Sequence, residues 1–91
     1  MYSLEPTPYE MGLKIAQRHR AMRKKLKISQ KEMAERSGVS FGSLKRFERS
    51  GKISLESLLK LVHLLGRLSD FDNVLKKKEN TDDIEKLFTN K

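Results

Sequence analysis

The chain has 91 residues, 36% hydrophobic and 35% charged, which suits one small globular domain with charged ends rather than two domains. It has no cysteine, which excludes a disulfide framework, a thiolate metal site and a cysteine nucleophile, and fits a reducing compartment. The net charge of +8 is unevenly placed: residues 9–52 hold 13 Lys and Arg against 4 Asp and Glu, whereas residues 53–91 hold 7 of each. A basic half joined to a neutral half implies a polyanion on one side, with nucleic acid the leading candidate. The strongest apolar stretch, residues 58–65, is interrupted by Lys60 and His63 and is too short to span a bilayer. Residues 1–8 carry Glu5 and two prolines where a secretion signal needs a basic and then an apolar region. A cytoplasmic location without a membrane partner is therefore expected.

In chain order, an N-terminal extension of residues 1–8 precedes a first helix over Tyr9 to Leu26, whose apolar stripe is Ile15, His19, Met22 and Leu26. Ser29 with Glu32 three residues on is a capping box that starts a second short helix, and Gly38 stops it. Ser40 caps a third helix ending near Arg49, with Leu44 and Phe47 facing inward and Gly51 just beyond. Ser54 caps a fourth, in which Leu55, Leu58, Leu59, Val62 and Leu65 form an apolar face that Leu61, Leu64 and Leu68 widen. A helix apolar on nearly all sides must be covered by more than its own domain, and a second subunit is the expected cover. Ser69 opens a fifth, short helix through Leu75, and residues 76–91 form a polar tail in which only Ile84, Leu87 and Phe88 make an amphipathic triplet.

The diagnostic stretch is SQKEMAERSGVSFGSLKRFE, residues 29–48. A helix, a turn at Gly38 and a second helix follow one another, with small Ala34 where the helices cross and Met33, Val39, Leu44 and Phe47 as shared core, which is the pattern of a helix-turn-helix. Gln30, Ala34, Gly38, Val39, Ser40, Leu44 and Glu48 stand at the spacing of the phage-repressor-like and Xre-type transcriptional regulators, and the chain resembles that family over about residues 13–75. The resemblance implies an all-α, five-helix, lambda-repressor-like DNA-binding domain, placed here over residues 9–75, that binds double-stranded operator DNA as a homodimer. It also implies an internal ion pair between Arg23 and Glu48, and phosphate contacts from Gln30 at the start of the second helix and from Ser40 and Ser43 at the start of the third.

With Leu44 and Phe47 inward, Gly42, Lys45, Arg46 and Arg49 are left to face outward. Lys45 and Arg46 are the candidates for base edges, because Lys and Arg donate to guanine O6 and N7. Arg49 and Lys52 are candidates for the flanking phosphates. Phe41 stands where many relatives carry a polar reader; it either meets a thymine methyl or packs on the second helix, with packing favoured. Gly42 would allow close approach to the DNA backbone. His19 and His63 lie on apolar helical faces with no second ligand at metal spacing and no adjacent nucleophile, so both are expected to be partly buried structural residues, with no metal, no cofactor and no catalysis.

A repressor that controls its own gene is the first functional expectation. The second is an antitoxin: residues 38–71 resemble the DNA-binding subunit of Hip-type toxin-antitoxin pairs, whose toxin resembles a Ser/Thr kinase. In that reading Ile84, Leu87 and Phe88 are a partner-docking segment; otherwise they belong to a frayed tail. RNA binding ranks lower, because only Phe41 is placed to stack on a base.

Overall fold

The computed structural model describes residues 5–77. It contains α1 (Pro8–Lys25), α2 (Gln30–Ser37), α3 (Phe41–Ser50), α4 (Leu55–Leu64) and a 3-10 turn (Leu68–Phe71), with no strand among the described residues. The four α-helices start alike. Thr7, Ser29, Ser40 and Ser54 each hold an extended backbone and accept the N–H three residues on with their hydroxyl, satisfying a donor that the helix itself leaves orphaned. At α1 the cap is reciprocal: the Glu10 carboxylate accepts the Thr7 N–H at 2.8 Å, and this bond holds the Glu10 pKa below its ordinary value. Helix α1 therefore begins at Pro8, inside the segment expected as an extension.

Gly38 and Gly51 end α2 and α3 in the left-handed region, at φ 80° and 78°. Between α1 and α2, Lys27 adopts φ 60° without being a glycine. The turn is held by Lys27 N–H to Lys24 and Ile28 N–H to Arg23.

Helix α3 packs against both α1 and α2, and α2 also meets α4. Phe47, Met33, Leu44 and Leu61 are the largest fully buried side chains, and Ala16, Ala34 and Val39 close the spaces around them. Truncating one of the large four to alanine costs about 2–5 kcal/mol in comparable cores. Ala34 is buried on α2, as its small size at the crossing requires.

The structure also departs from the sequence expectations along α1, beyond α4 and on α4 itself. The inner line of α1 is Ala16, His19 and Arg23, with Ile15 and Met22 half-buried beside it and Leu26 54% exposed. Two of those inner residues are polar, so a search for apolar periodicity selects a stripe turned to one side of the real one. The expected fifth helix is a single 3-10 turn followed by turns to Leu75, which sits at φ 62° and is 97% exposed; only Phe71 packs on the core. His63 is exposed on the outer side of α4 rather than partly buried. On α4 the buried residues are Leu58, Leu61 and Val62, while Leu55 is solvent-exposed.

Gly12 of α1 and Gly51 at the end of α3 approach each other backbone to backbone. A Cβ built on Gly51 would lie 2.7 Å from the Gly12 carbonyl carbon, and one on Gly12 would lie 3.0 Å from the Gly51 oxygen. Gly51→Ala therefore adds a backbone clash to the left-handed cost of roughly 1–2 kcal/mol. Gly66→Ala, at φ 74° with open space around it, carries the conformational cost alone. Urea unfolding should show Gly51→Ala clearly the less stable; equal losses would mean that α1 and α3 do not hold this approach in solution.

Candidate nucleic-acid interface

The exposed side of α3 is held in place from behind by one carboxylate. Glu48 accepts from Arg23 Nε at 2.9 Å, Arg23 Nη2 at 2.8 Å and Gln30 Nε2 at 3.0 Å, and its Oε2 lies 2.8 Å from His19 Nδ1. The side chains of Glu48 and His19 are each 3% exposed. Arg23 Nη1 donates to the Ile28 carbonyl at 2.9 Å, so the guanidinium also pins the turn after α1. Donors from α1 and α2 thus converge on an acceptor of α3.

Burial is the strongest single influence on Glu48 and pushes its pKa up, but the hydrogen bonds from Arg23, Gln30 and His19 together outweigh it and hold the carboxyl below its ordinary value. Burial pushes His19 down, and this prevails over the raising effect of Glu48; the Arg23 charge adds to the lowering. A neutral imidazole suits the geometry. Nδ1–H donates to Glu48, the ring meets Phe47 edge-on with centroids 5.5 Å apart, and Nε2 is buried without a partner among the described residues, so a proton there would find no acceptor among them.

On the other side of α3, Ser43, Lys45, Arg46 and Arg49 are exposed, together with Lys52 just beyond the helix. Among the described residues no carboxylate forms an ion pair with any of these four cations. Ser40 accepts the Ser43 N–H at 3.1 Å and donates its own hydroxyl to Ser43 Oγ at 2.7 Å. A Cβ on Gly42 would meet nothing within 4 Å, so no neighbour in the fold requires a glycine there. Phe41 is 43% exposed, and the Lys45 ammonium lies 4.9 Å from its ring centroid. Gln30 is turned inward, its amide engaged by Glu48.

Sequence reasoning did not place His19 or Gln30 on Glu48, although His19 and Arg23 are four residues apart on one face of α1. It also passed over a polar concavity of about 270 Å³ between α3 and the start of α4, lined by Ser43, Arg46, Lys52, Ile53, Ser54 and Ser57. The signal was present: Ser54 and Ser57 repeat the spacing of Ser40 and Ser43 one helix later.

Two short helices joined at a left-handed glycine, the second exposing unpaired cations, define a helix-turn-helix domain. A family model described as helix-turn-helix, Xre-like in kind, matches residues 20–71, more than half of the chain, and the chain belongs to that family. No curated protein and no solved structure matches it. The protein is a DNA-binding transcription regulator whose ligand is double-stranded DNA, in a family of regulators rather than enzymes. Among the described residues there is no group of three potential metal ligands, and no helix is long and apolar enough to cross a membrane.

Because Glu48 and His19 both have folded pKa values depressed below their ordinary 4.5 and 6.5, each contributes stability that is present above that value and lost as pH falls through the folded one. The urea midpoint should begin to fall as pH drops below 6.5, and His19→Gln should remove that upper part of the loss. An unchanged upper part in His19→Gln would assign it to other groups. Glu48→Gln leaves the Arg23 charge buried without an anion and should cost about 3–5 kcal/mol near neutrality.

Proposed function

We propose that the protein is a sequence-specific repressor that binds operator DNA as a homodimer, with α3 in the major groove. The observation that carries this reading is the exposed set of Lys45, Arg46 and Arg49 on a helix whose rear face is fixed by Glu48, with Lys52 just beyond it, none of them paired with a carboxylate among the described residues. Arg46 and Lys45 read base edges, each good bidentate contact giving about 1–3 kcal/mol of discrimination. Ser40, Ser43, Arg49 and Lys52 engage phosphates, and Gly42 leaves room for the DNA backbone. Gln30 contributes through its position at the start of α2, since its amide serves Glu48. The concavity between Arg46, Lys52, Ser54 and Ser57 seats a further phosphate at the start of α4.

Dimerisation is supported by an apolar groove of about 550 Å³ whose walls come from α1, α4 and the turn beyond, including Ile15, Met22, Leu58, Val62 and Phe71. No residue of α2 or α3 lines it, so a protein can occupy it while α3 reads DNA. A two-fold dimer requires half-sites about 34 Å apart or a multiple of that. The same groove supports the second reading, an antitoxin that also binds a kinase-like toxin. The candidate docking residues Ile84, Leu87 and Phe88 lie outside the described residues.

The test is fluorescence anisotropy of a labelled duplex from upstream of the gene, against a scrambled duplex, at two salt concentrations. Wild type should prefer the upstream duplex and weaken with salt, and Arg46→Ala should lose the preference. Lys52→Ala should weaken binding to both duplexes about equally and reduce the salt slope by about one. Equal weak binding of wild type to both would contradict an autoregulating repressor. Co-purification with a kinase-like product of an adjacent gene, in a defined complex, would favour the antitoxin.

A further inference from the structure

Phe41 is a large apolar side chain at the first position of α3 and leaves 43% of its surface exposed. Its surroundings are polar and cationic: the Ser40 and Ser43 hydroxyls precede and follow it, and Lys45, one turn along, lays its ammonium over the ring at 4.9 Å from the centroid. Residues i and i+4 share one face of a helix, so the ring and the ammonium present themselves together. Gly42 beside them has no side chain and open space around it, which lets this edge of α3 approach a ligand closely.

We infer that Phe41 and Lys45 act as one reading unit for a thymine next to a guanine. The inference rests on the proposed placement of α3 in the major groove. The base edges there carry donors, acceptors and a single kind of apolar group, the C5-methyl of thymine, so the exposed part of the aromatic ring has one apolar partner available. Lys45 finds its best acceptors in guanine O6 and N7. The separation between ammonium and ring is of the order of one base step, roughly 3.4 Å along a strand, so the two bases are neighbours. Contact with the ring also limits the positions open to the ammonium, which favours that guanine over more distant acceptors.

Enrichment from a random duplex pool by the full chain, followed by replacement of each dT in the enriched site with dU, tests the inference, since dU removes the methyl and leaves the hydrogen-bonding edge intact. The enriched site should contain a thymine beside a guanine. At that thymine alone, dU should weaken wild-type binding by roughly three- to fivefold, the effect of exposing one methyl group. Phe41→Ala, shown folded by circular dichroism, should bind dT and dU duplexes equally, while Phe41→Leu should keep part of the preference. Lys45→Gln should relax selection at the guanine and leave the methyl effect in place. An enriched site without the thymine–guanine step, a dU effect below about twofold, or an undiminished dU effect in Phe41→Ala would overturn the inference and leave sequence-specific binding standing. A pool that shows no enrichment would remove both.

Discussion

The arrangement depends on a buried carboxylate. Glu48 sits on the inner side of α3, and its two oxygens are shared among a guanidinium, an amide and an imidazole brought by α1 and α2. Burying a charge in a chain this small is costly, and the cost is offset only when all its acceptor capacity is used. That requirement fixes the relative placement of three helices more narrowly than apolar packing does, because Phe47, Leu44 and Met33 would tolerate small slides that four hydrogen bonds would not. The consequence lies on the opposite side of α3, where the outward cations keep fixed positions relative to α1 and α2.

A division of charge along the sequence becomes a division of surface in the fold. Inside, Arg23 is neutralised by Glu48; outside, Lys45, Arg46, Arg49 and Lys52 have no carboxylate partner among the described residues. Some exposed charges elsewhere do pair at helical spacing, as Arg36 with Glu32 and Lys60 with Glu56 do, while the exposed cations of α1 add to the positive surface. Unpaired cations on one helix, beside serine-capped helix starts whose N–H groups already favour anions, concentrate positive potential on the face that meets a phosphate backbone. The apolar groove lies between α1 and α4 and uses none of these residues.

Much of this was legible in the sequence where the interaction is local. A serine and the N–H three residues later belong to one turn of chain, so Ser29, Ser40 and Ser54 could be named as caps, and Gly38 and Gly51 as stops, without knowing the fold. The core of α2 and α3 followed from the same short range. What escaped depended on distance. His19 was assigned to an apolar stripe because its partner Glu48 is 29 residues away, and the true inner line of α1 holds a charge that only that partner makes tolerable. Gln30 was expected to face DNA for the same reason. The fifth helix failed differently: its local signals were sound, but with Phe71 as the single anchor to the core there is too little burial to hold more than a 3-10 turn. Phe41, read as either meeting a thymine methyl or packing on α2, keeps 43% of its surface exposed.

The most direct test of the account is to map the backbone amide shifts of the full chain as a duplex enriched from a random pool is added. The account predicts that the perturbations concentrate at residues 40–46 and 52–57, at the starts of α3 and α4, with the amides of the α1–α4 groove little changed. Perturbations centred on that groove, with α3 unmoved, would contradict it.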